Sequence, residues 1–247
     1  MTFAFIIPCA TNDTGCESAA NEPGSGSQPP ASAENGYGQL IATVESINQS
    51  AKGALISVVE HGATALNDEQ KNQLLKQTDL LMEYNSNEII QSTIQQFAAR
   101  KDSFNLTELT SLIWFLEVAQ KHQVFNKVQR IFVIRPGFIF DAAKHGLSAG
   151  KEEAKNKFIL PNPYPSAFPS EKTGHIFLQF NTGLWSFETS QIPELLNTLR
   201  AMLGFMKQRF QEGGYVDLGH CLYKFIDASH VFYDLGLAPK PANQLNS

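Results

Sequence analysis

One amphipathic stripe near the C-terminus constrains the chain most. Ile192, Leu195, Leu196, Leu199, Met202, Leu203, Met206 and Phe210 recur at spacings of three and four, which places them on one face of an α-helix. Lys207 and Arg209 lie where cations suit the helix dipole, and Gly213-Gly214 stop the segment. The spacing therefore predicts a long helix over 190–212. A helix with one continuous apolar face needs an equally apolar surface beneath it, so the chain must build a sizeable core.

Similar spacing recurs upstream. Tyr37, Leu40, Val44, Ile47, Ala51, Ala54 and Val58 form a heptad-like stripe. Asn67 with Gln70 makes a capping box ahead of Leu74, Leu75, Thr78, Leu81 and Met82. Ile89, Ile90, Ile94 and Phe97 give a third helical face. Asn105 with Glu108 suggests a second capping box before Leu112–Val118, a segment apolar nearly all round and so expected at the centre of the fold. Val124, Phe125, Val128, Ile131 and Phe132 keep the helical spacing until Arg135-Pro136-Gly137, and short helical pieces are expected over 138–157.

Strand signals are few. Phe158–Leu160 reads as a short strand, and four prolines between Pro161 and Pro169 keep the next stretch extended. Ile176–Phe180 and Leu184–Glu188 flank Asn181-Thr182-Gly183 and read as a β-hairpin. A last helix is predicted from about Asp217 to Leu235. The expected fold is thus α-dominant α+β: a multi-helix, bundle-like body with one β-hairpin before the two C-terminal helices.

The N-terminal part lacks this order. Residues 11–36 are Ser, Gly, Pro, Asn and Ala without an apolar period, a composition that does not offset the entropy of ordering. The division expected is a disordered tail over 1–36, one mostly helical globular domain over 37–236, and a C-terminal tail over 237–247. On that reading, removal of residues 1–35 leaves the melting temperature nearly unchanged. The opening Met1–Cys9 is apolar, but it lacks the positive start and full apolar stretch of a secretory signal.

Charge excludes some function classes. The first 51 residues carry five of the 24 acidic side chains and no Lys or Arg, so all 19 basic residues face 19 acidic ones in the rest of the chain. A neutral body without a basic stripe argues against nucleic acid and against anionic membrane surfaces. No stretch is long and apolar enough for a transmembrane helix. Charged residues are only 17% of the chain, below the roughly 25% of an ordinary soluble domain, and a surface short of charge often has a partner covering it.

Motifs for chemistry are weak. Gly146-Leu-Ser148-Ala-Gly150 matches the nucleophile-elbow pattern, but the preceding Asp141–His145 is not a strand. Asp227, His230 and Asp234 fall at helical spacing, without the further carboxylates of a bundle metal site. His220 and Cys221 are adjacent and diverge by about 100° on a helix, so they do not form a nucleophile and base pair. Three cysteines make no disulfide framework; Cys9 and Cys16 can close at most one small loop, and Cys221 reads as a buried thiol. No glycine-rich phosphate loop follows a strand. No metal site and no cofactor are expected.

The function expected from these features is a non-enzymatic protein-binding component, a secreted or assembly protein with its N-terminal segment as an address. It would be soluble, with export lacking a conventional signal peptide one route and its location otherwise unassigned. The partner is another protein or a second copy of the chain. Tyr223, Ile226, His230 and Tyr233 form a second apolar stripe on the predicted last helix and are the candidate interaction residues. Two alternatives are a serine hydrolase using Ser148 and a membrane-inserting helical toxin.

Overall fold

A computed structural model describes residues 2–12, 36–100 and 102–234. Its centre is a seven-stranded mixed sheet, not a helical bundle. Strands β1 (Phe3–Cys9), β2 (Leu55–Glu60), β3 (Leu80–Glu83) and β4 (Arg130–Ile134) are mutually parallel, in the order β3-β2-β1-β4. Beyond β4 lie β8 (Leu184–Glu188), β5 (Phe158–Leu160) and β9 (Val231–Tyr233). Only β8 runs against its neighbours; β5 and β9 are parallel to each other. A separate two-stranded ribbon pairs β6 (Tyr164–Pro165) with β7 (Leu178–Gln179).

The expected α-dominant α+β bundle is therefore corrected to an α/β fold. Its cause is visible in β1. The run Phe3-Ala-Phe-Ile-Ile-Pro-Cys9 is buried on both faces, and it pairs with β2 on one edge and β4 on the other. A strand of this kind carries no polar alternation. Residues 3–9, expected to begin a tail, are the central strand. The rest of the expected N-terminal tail, over 13–35, and the C-terminal tail, over 237–247, lie outside the described residues.

Other strands hid inside helical spacing for the same reason. The stripe from Tyr37 divides into α1 (Gly36–Ser50) and β2, with Gly53 at φ 78° turning the chain between them. The Asn67–Gln70 capping box is present at the start of α2 (Asp68–Leu75), but Leu81 and Met82 belong to β3. Helix α3 (Glu88–Gln96) is capped by Asn87. Helix α4 (Phe104–Lys121) is buried over most of its circumference, as its composition predicts, but the box at Asn105–Glu108 does not form. Asn105 caps nothing; its side chain donates to the Asp102 carbonyl. The continuation through Ile131 and Phe132 is β4.

Residues 142–146 form a π-helical turn, followed by α5 (Leu147–Ala149) and a 3-10 turn, matching the short helical pieces expected there. A short α6 (Ser170–Thr173) precedes β7. The predicted hairpin does not form, because β7 joins the ribbon and β8 enters the main sheet between β4 and β5. Helix α7 (Ile192–Gln211) fulfils the long-helix prediction. The last helix, α8, is only Leu218–Phe225; Ile226 takes an extended conformation, and the chain ends its course as β9 on the sheet edge.

Strand periodicity sorts the core into two layers. Phe5 and Ile7 of β1 pack with Leu40, Val44 and Ile47 of α1, with Leu74 of α2, and with Phe132 and Phe140. Ala4 and Ile6 face the other way, with Ile131 and Val133, toward Leu109, Leu112 and Leu116 of α4 and Leu195, Leu199 and Met202 of α7. One residue thus contributes to each layer in turn.

Because Ile6 is fully buried within the central strand, Ile6→Ala is expected to cost roughly 2–5 kcal/mol, read as a lower urea midpoint. Truncation of residues 1–35 removes β1 and should abolish the cooperative melt. A truncated chain that melts near the wild-type temperature would overturn the central placement of β1.

Candidate functional site

The chain leaves β1, moves outward through β2 and β3, and then returns to the other side of β1 as β4. That reversal marks a topological switch point at the carboxyl ends of β1 and β4, and the crevice outside such a point is where open α/β sheets bind ligands. Polar side chains collect at this end, all buried except the partly buried Arg135. Thr11 follows β1, Glu60 ends β2, His61 follows it, and Arg135 follows β4. Thr107 and Glu108 come from the first turns of α4, whose N-terminal end carries no acidic residue in its first turn.

Glu60 is fully buried and acts as a clamp. It accepts from the Thr11 hydroxyl at 2.6 Å and from the Gly62 amide at 2.8 Å, with the Thr11 amide and the Cys9 thiol as further donors. Burial pushes its carboxyl up despite these bonds, because desolvation outweighs them. The Cys9 thiol is raised well above its usual value, by burial first and then by the Glu60 charge. Such a thiol is an inert packing group, not a nucleophile.

Beside the clamp, His61 Nδ1 lies 3.2 Å from the Thr107 hydroxyl. Arg135 grips Glu108 with two parallel bonds, Nε to Oε1 at 3.0 Å and Nη2 to Oε2 at 2.6 Å. Fork geometry of this kind orients both groups rigidly.

A second polar group adjoins the first. Asp217 caps α8, accepting from the His220 amide at 2.9 Å and meeting His220 Nδ1 at 2.8 Å with the same oxygen. The Tyr215 hydroxyl donates to its other oxygen at 3.1 Å. His220 Nε2 reaches the Ser166 hydroxyl at 2.9 Å. Burial alone would raise the Asp217 carboxyl, but the bonds and charge of His220, with a contribution from Arg135, hold it below its ordinary value. Gly219 permits this arrangement: a Cβ there would stand 2.3 Å from the Phe180 carbonyl, so only glycine lets the first turn of α8 press against the end of β7.

The residues singled out from the sequence fare differently. Ser148 is buried on the one-turn α5, reached from a π-helical turn, so no strand enters it as a nucleophile elbow requires. His145 next to it accepts from the Asp141 amide, and burial lowers its pKa. Asp227, His230 and Asp234 do not share a helix face, since α8 ends before them; Asp227 caps the turn at Ser229, and His230 faces Glu194 at 3.3 Å. No metal-holding group of three or more His, Cys, Asp or Glu occurs among the described residues. Cys221 is a buried thiol raised by its surroundings, and Cys16 lies outside the described residues. No helix among the described residues is long and apolar enough to cross a membrane.

The interaction stripe is also redistributed. Tyr223 is on α8, Ile226 is buried at its end, His230 is on the following turn and Tyr233 is on β9. Tyr223 and Tyr233 still meet through Phe180, whose ring is 5.7 and 6.3 Å from theirs.

Sequence reasoning did not bring Glu60, His61, Thr107, Arg135, Asp217 and Ser166 together. For Glu60, His61 and Arg135 the available signal was their position at the ends of β2 and β4, which required those strands to be recognised first; Thr107 lies on α4 and Asp217 caps α8, and they carried no such signal. No protein-family model matches the chain, and no curated protein matches its sequence.

Two predictions test this geometry. Glu108→Ala leaves Arg135 without its carboxylate in a half-closed site and should cost roughly 3 kcal/mol, while Glu108→Leu with Arg135→Met should recover part of that loss. A double variant that loses as much as Glu108→Leu and Arg135→Met measured separately and added together would show that the pair is not coupled. Asp217 has a depressed carboxyl, so its contribution is present above the ordinary value of 3.8 and fades as pH falls through the lower folded value. Thermal melts of the wild type and Asp217→Asn should therefore differ from pH 5 upward and approach each other toward pH 2. A gap that stays constant across that range would remove the electrostatic account.

Proposed function

We propose that the chain binds a hydroxyl-rich polar small molecule of the nucleotide class in the crevice at the β1/β4 switch point. The observation that carries this reading is the convergence there of His61, Thr107, Glu108 and Arg135, drawn from three separate parts of the chain. Ligand sites bring together a small number of polar groups from several segments of the chain.

The ligand class follows from topology and charge. The β1–α1–β2–α2–β3 succession is the form of a mononucleotide-binding half. Carboxylates equal or outnumber cations in the crevice, so a bare polyanion is disfavoured. Paired acceptors and a fixed guanidinium suit ribose or another sugar carrying vicinal hydroxyls. The N-terminal end of α4 offers a partial positive charge for a phosphate beside them. The expectation of a non-enzymatic protein-binding component rested on low charge, two very apolar helices, an N-terminal segment without apolar period and the weakness of catalytic motifs; of its candidate residues Ile226 is buried, while Tyr223 and Tyr233 are exposed.

The test is a thermal-shift panel of nucleosides, nucleoside mono-, di- and triphosphates, dinucleotides and nucleotide-activated sugars, followed by calorimetry on any hit. A true ligand at about 100 times its Kd should add roughly 2.7 kcal/mol, a rise of about 5–10 °C for a chain of this size. Arg135→Met should abolish the shift. A panel in which no class moves the melt would overturn the assignment.

A further inference from the structure

Ser166, His220 and Asp217 form a linear hydrogen-bonded series with a sealed histidine at its centre and its serine end open to solvent. Asp217 Oδ1 meets His220 Nδ1 at 2.8 Å, and His220 Nε2 meets Ser166 Oγ at 2.9 Å. A carboxylate on Nδ1 fixes the imidazole tautomer that carries its proton there and leaves the Nε2 lone pair directed at the serine. His220 is fully buried, Asp217 is nearly so, and Ser166 is half-exposed at the end of β6. We propose that Ser166 is an acyl-accepting nucleophile activated by His220, and that the site cleaves carboxylic esters with an apolar acyl group.

Each part of the serine's environment fits that role. The Ser166 amide donates to the Phe177 carbonyl at 2.8 Å, which fixes the backbone against the β7 side of the ribbon. The Phe168 amide donates to Ser166 Oγ at 3.0 Å, a contact that strengthens as the oxygen gains negative charge. The Phe168 carbonyl, at 3.3 Å, is a more distant acceptor for the hydroxyl proton than His220. The Ala167 amide makes no hydrogen bond among the described residues, and an amide directly after the nucleophile is the usual first donor to an oxyanion. Tyr215 holds the second oxygen of Asp217, so the carboxylate cannot swing away.

The substrate class comes from the rim. Phe177 is 67% exposed and Phe168 37%, both beside Ser166 in the ribbon, and Phe168 stacks on Tyr215 at 4.0 Å. Two exposed rings flanking a hydroxyl favour an apolar acyl chain over a charged one.

The reaction balances with water as the only co-reactant. Ser166 Oγ bonds to the ester carbonyl carbon while its proton passes to His220 Nε2. The tetrahedral intermediate then expels the alcohol, which takes that proton from His220. Water adds to the acyl-serine with His220 again as base, the carbon–Oγ bond breaks, and the carboxylic acid leaves with Ser166 restored.

The alternative role for this series is a fastener between the ribbon and α8, and the two roles separate experimentally. The full chain is treated with a fluorophosphonate probe, the labelled peptide is mapped by mass spectrometry, and hydrolysis of p-nitrophenyl butyrate is followed in parallel. The expected result is a label on Ser166, with label and hydrolysis both falling to background in Ser166→Ala and in His220→Gln. Ser148→Ala should keep both. Ser166 is half-exposed, so Ser166→Ala should fold even if His220→Gln does not, and circular dichroism checks each. Ser166→Ala should also still bind any crevice ligand, which keeps this outcome independent of the nucleotide-class reading. A folded wild type with no label on Ser166, or a label retained in Ser166→Ala, would overturn the proposal.

Discussion

Strand β1 is the constraint on which the rest of the molecule depends. It is hydrogen-bonded along both edges and covered on both faces, so it joins every layer of the fold at once. Phe5 stacks on Phe132 at 5.3 Å and meets Phe140 edge-on at 4.7 Å, tying β1, β4 and the loop after β4 into one aromatic group. A parallel strand so placed has no polar face to spare, and its edge groups are satisfied only by neighbours that the chain reaches through long crossovers. Helices α1 and α4 are those crossovers, and their apolar faces are set by the two sides of β1.

The two ends of the sheet solve different problems. At the amino end of β4, Arg130 is completely buried, and its guanidinium donates to the carbonyls of Ala154 at 2.8 Å and Lys157 at 3.1 Å and to Glu188 at 3.2 Å. Burial lowers its pKa, and Glu188 opposes that effect. Those bonds hold the irregular segment before β5 to β4 and β8, which is how a strand of only three residues keeps its place. At the carboxyl end the polar groups serve the chain exits instead. Glu60 binds the first residues after both β1 and β2, so the two walls of the crevice are fixed by one carboxylate. The amino end is closed by chain anchored to chain, and the carboxyl end is where side chains from distant segments face each other.

How much of this was legible in the sequence depends on whether a segment has a polar side. Helix α7 was readable because solvent covers half of it, and α2 was readable from Asn67 and Gln70, whose capping role is local. The strand Phe158–Leu160 stood out against the prolines after it. Strands β1, β2 and β4 were not readable, since a short fully apolar run satisfies a helical template as well as a strand template. The residues of β2 and β4 therefore extended helical stripes that were genuine only in part. Without those strands the site is not visible, because Thr11, Glu60, His61 and Arg135 are placed by strand ends and Thr107 and Glu108 meet them only once the strands are in position.

The contrast between Ser148 and Ser166 shows why local pattern fails for chemistry as it does for strands. Gly146-x-Ser148-x-Gly150 has the spacing of an elbow, but the spacing matters only where a strand delivers the serine to an exposed edge. Here a π-helical turn delivers it into the interior. Ser166 sits in no motif: its histidine is 54 residues away and its neighbours are prolines and phenylalanines. What distinguishes it is a contact made by folding, in which Gly219 allows α8 to press on the ribbon and so brings His220 beneath the serine. The aspartate, by contrast, is close in sequence, because one N-cap carboxylate can serve both the amide and the ring of the residue three positions later. One half of the series is thus local helix chemistry and the other half is tertiary packing, and only the first half was available to a reading of residues in order.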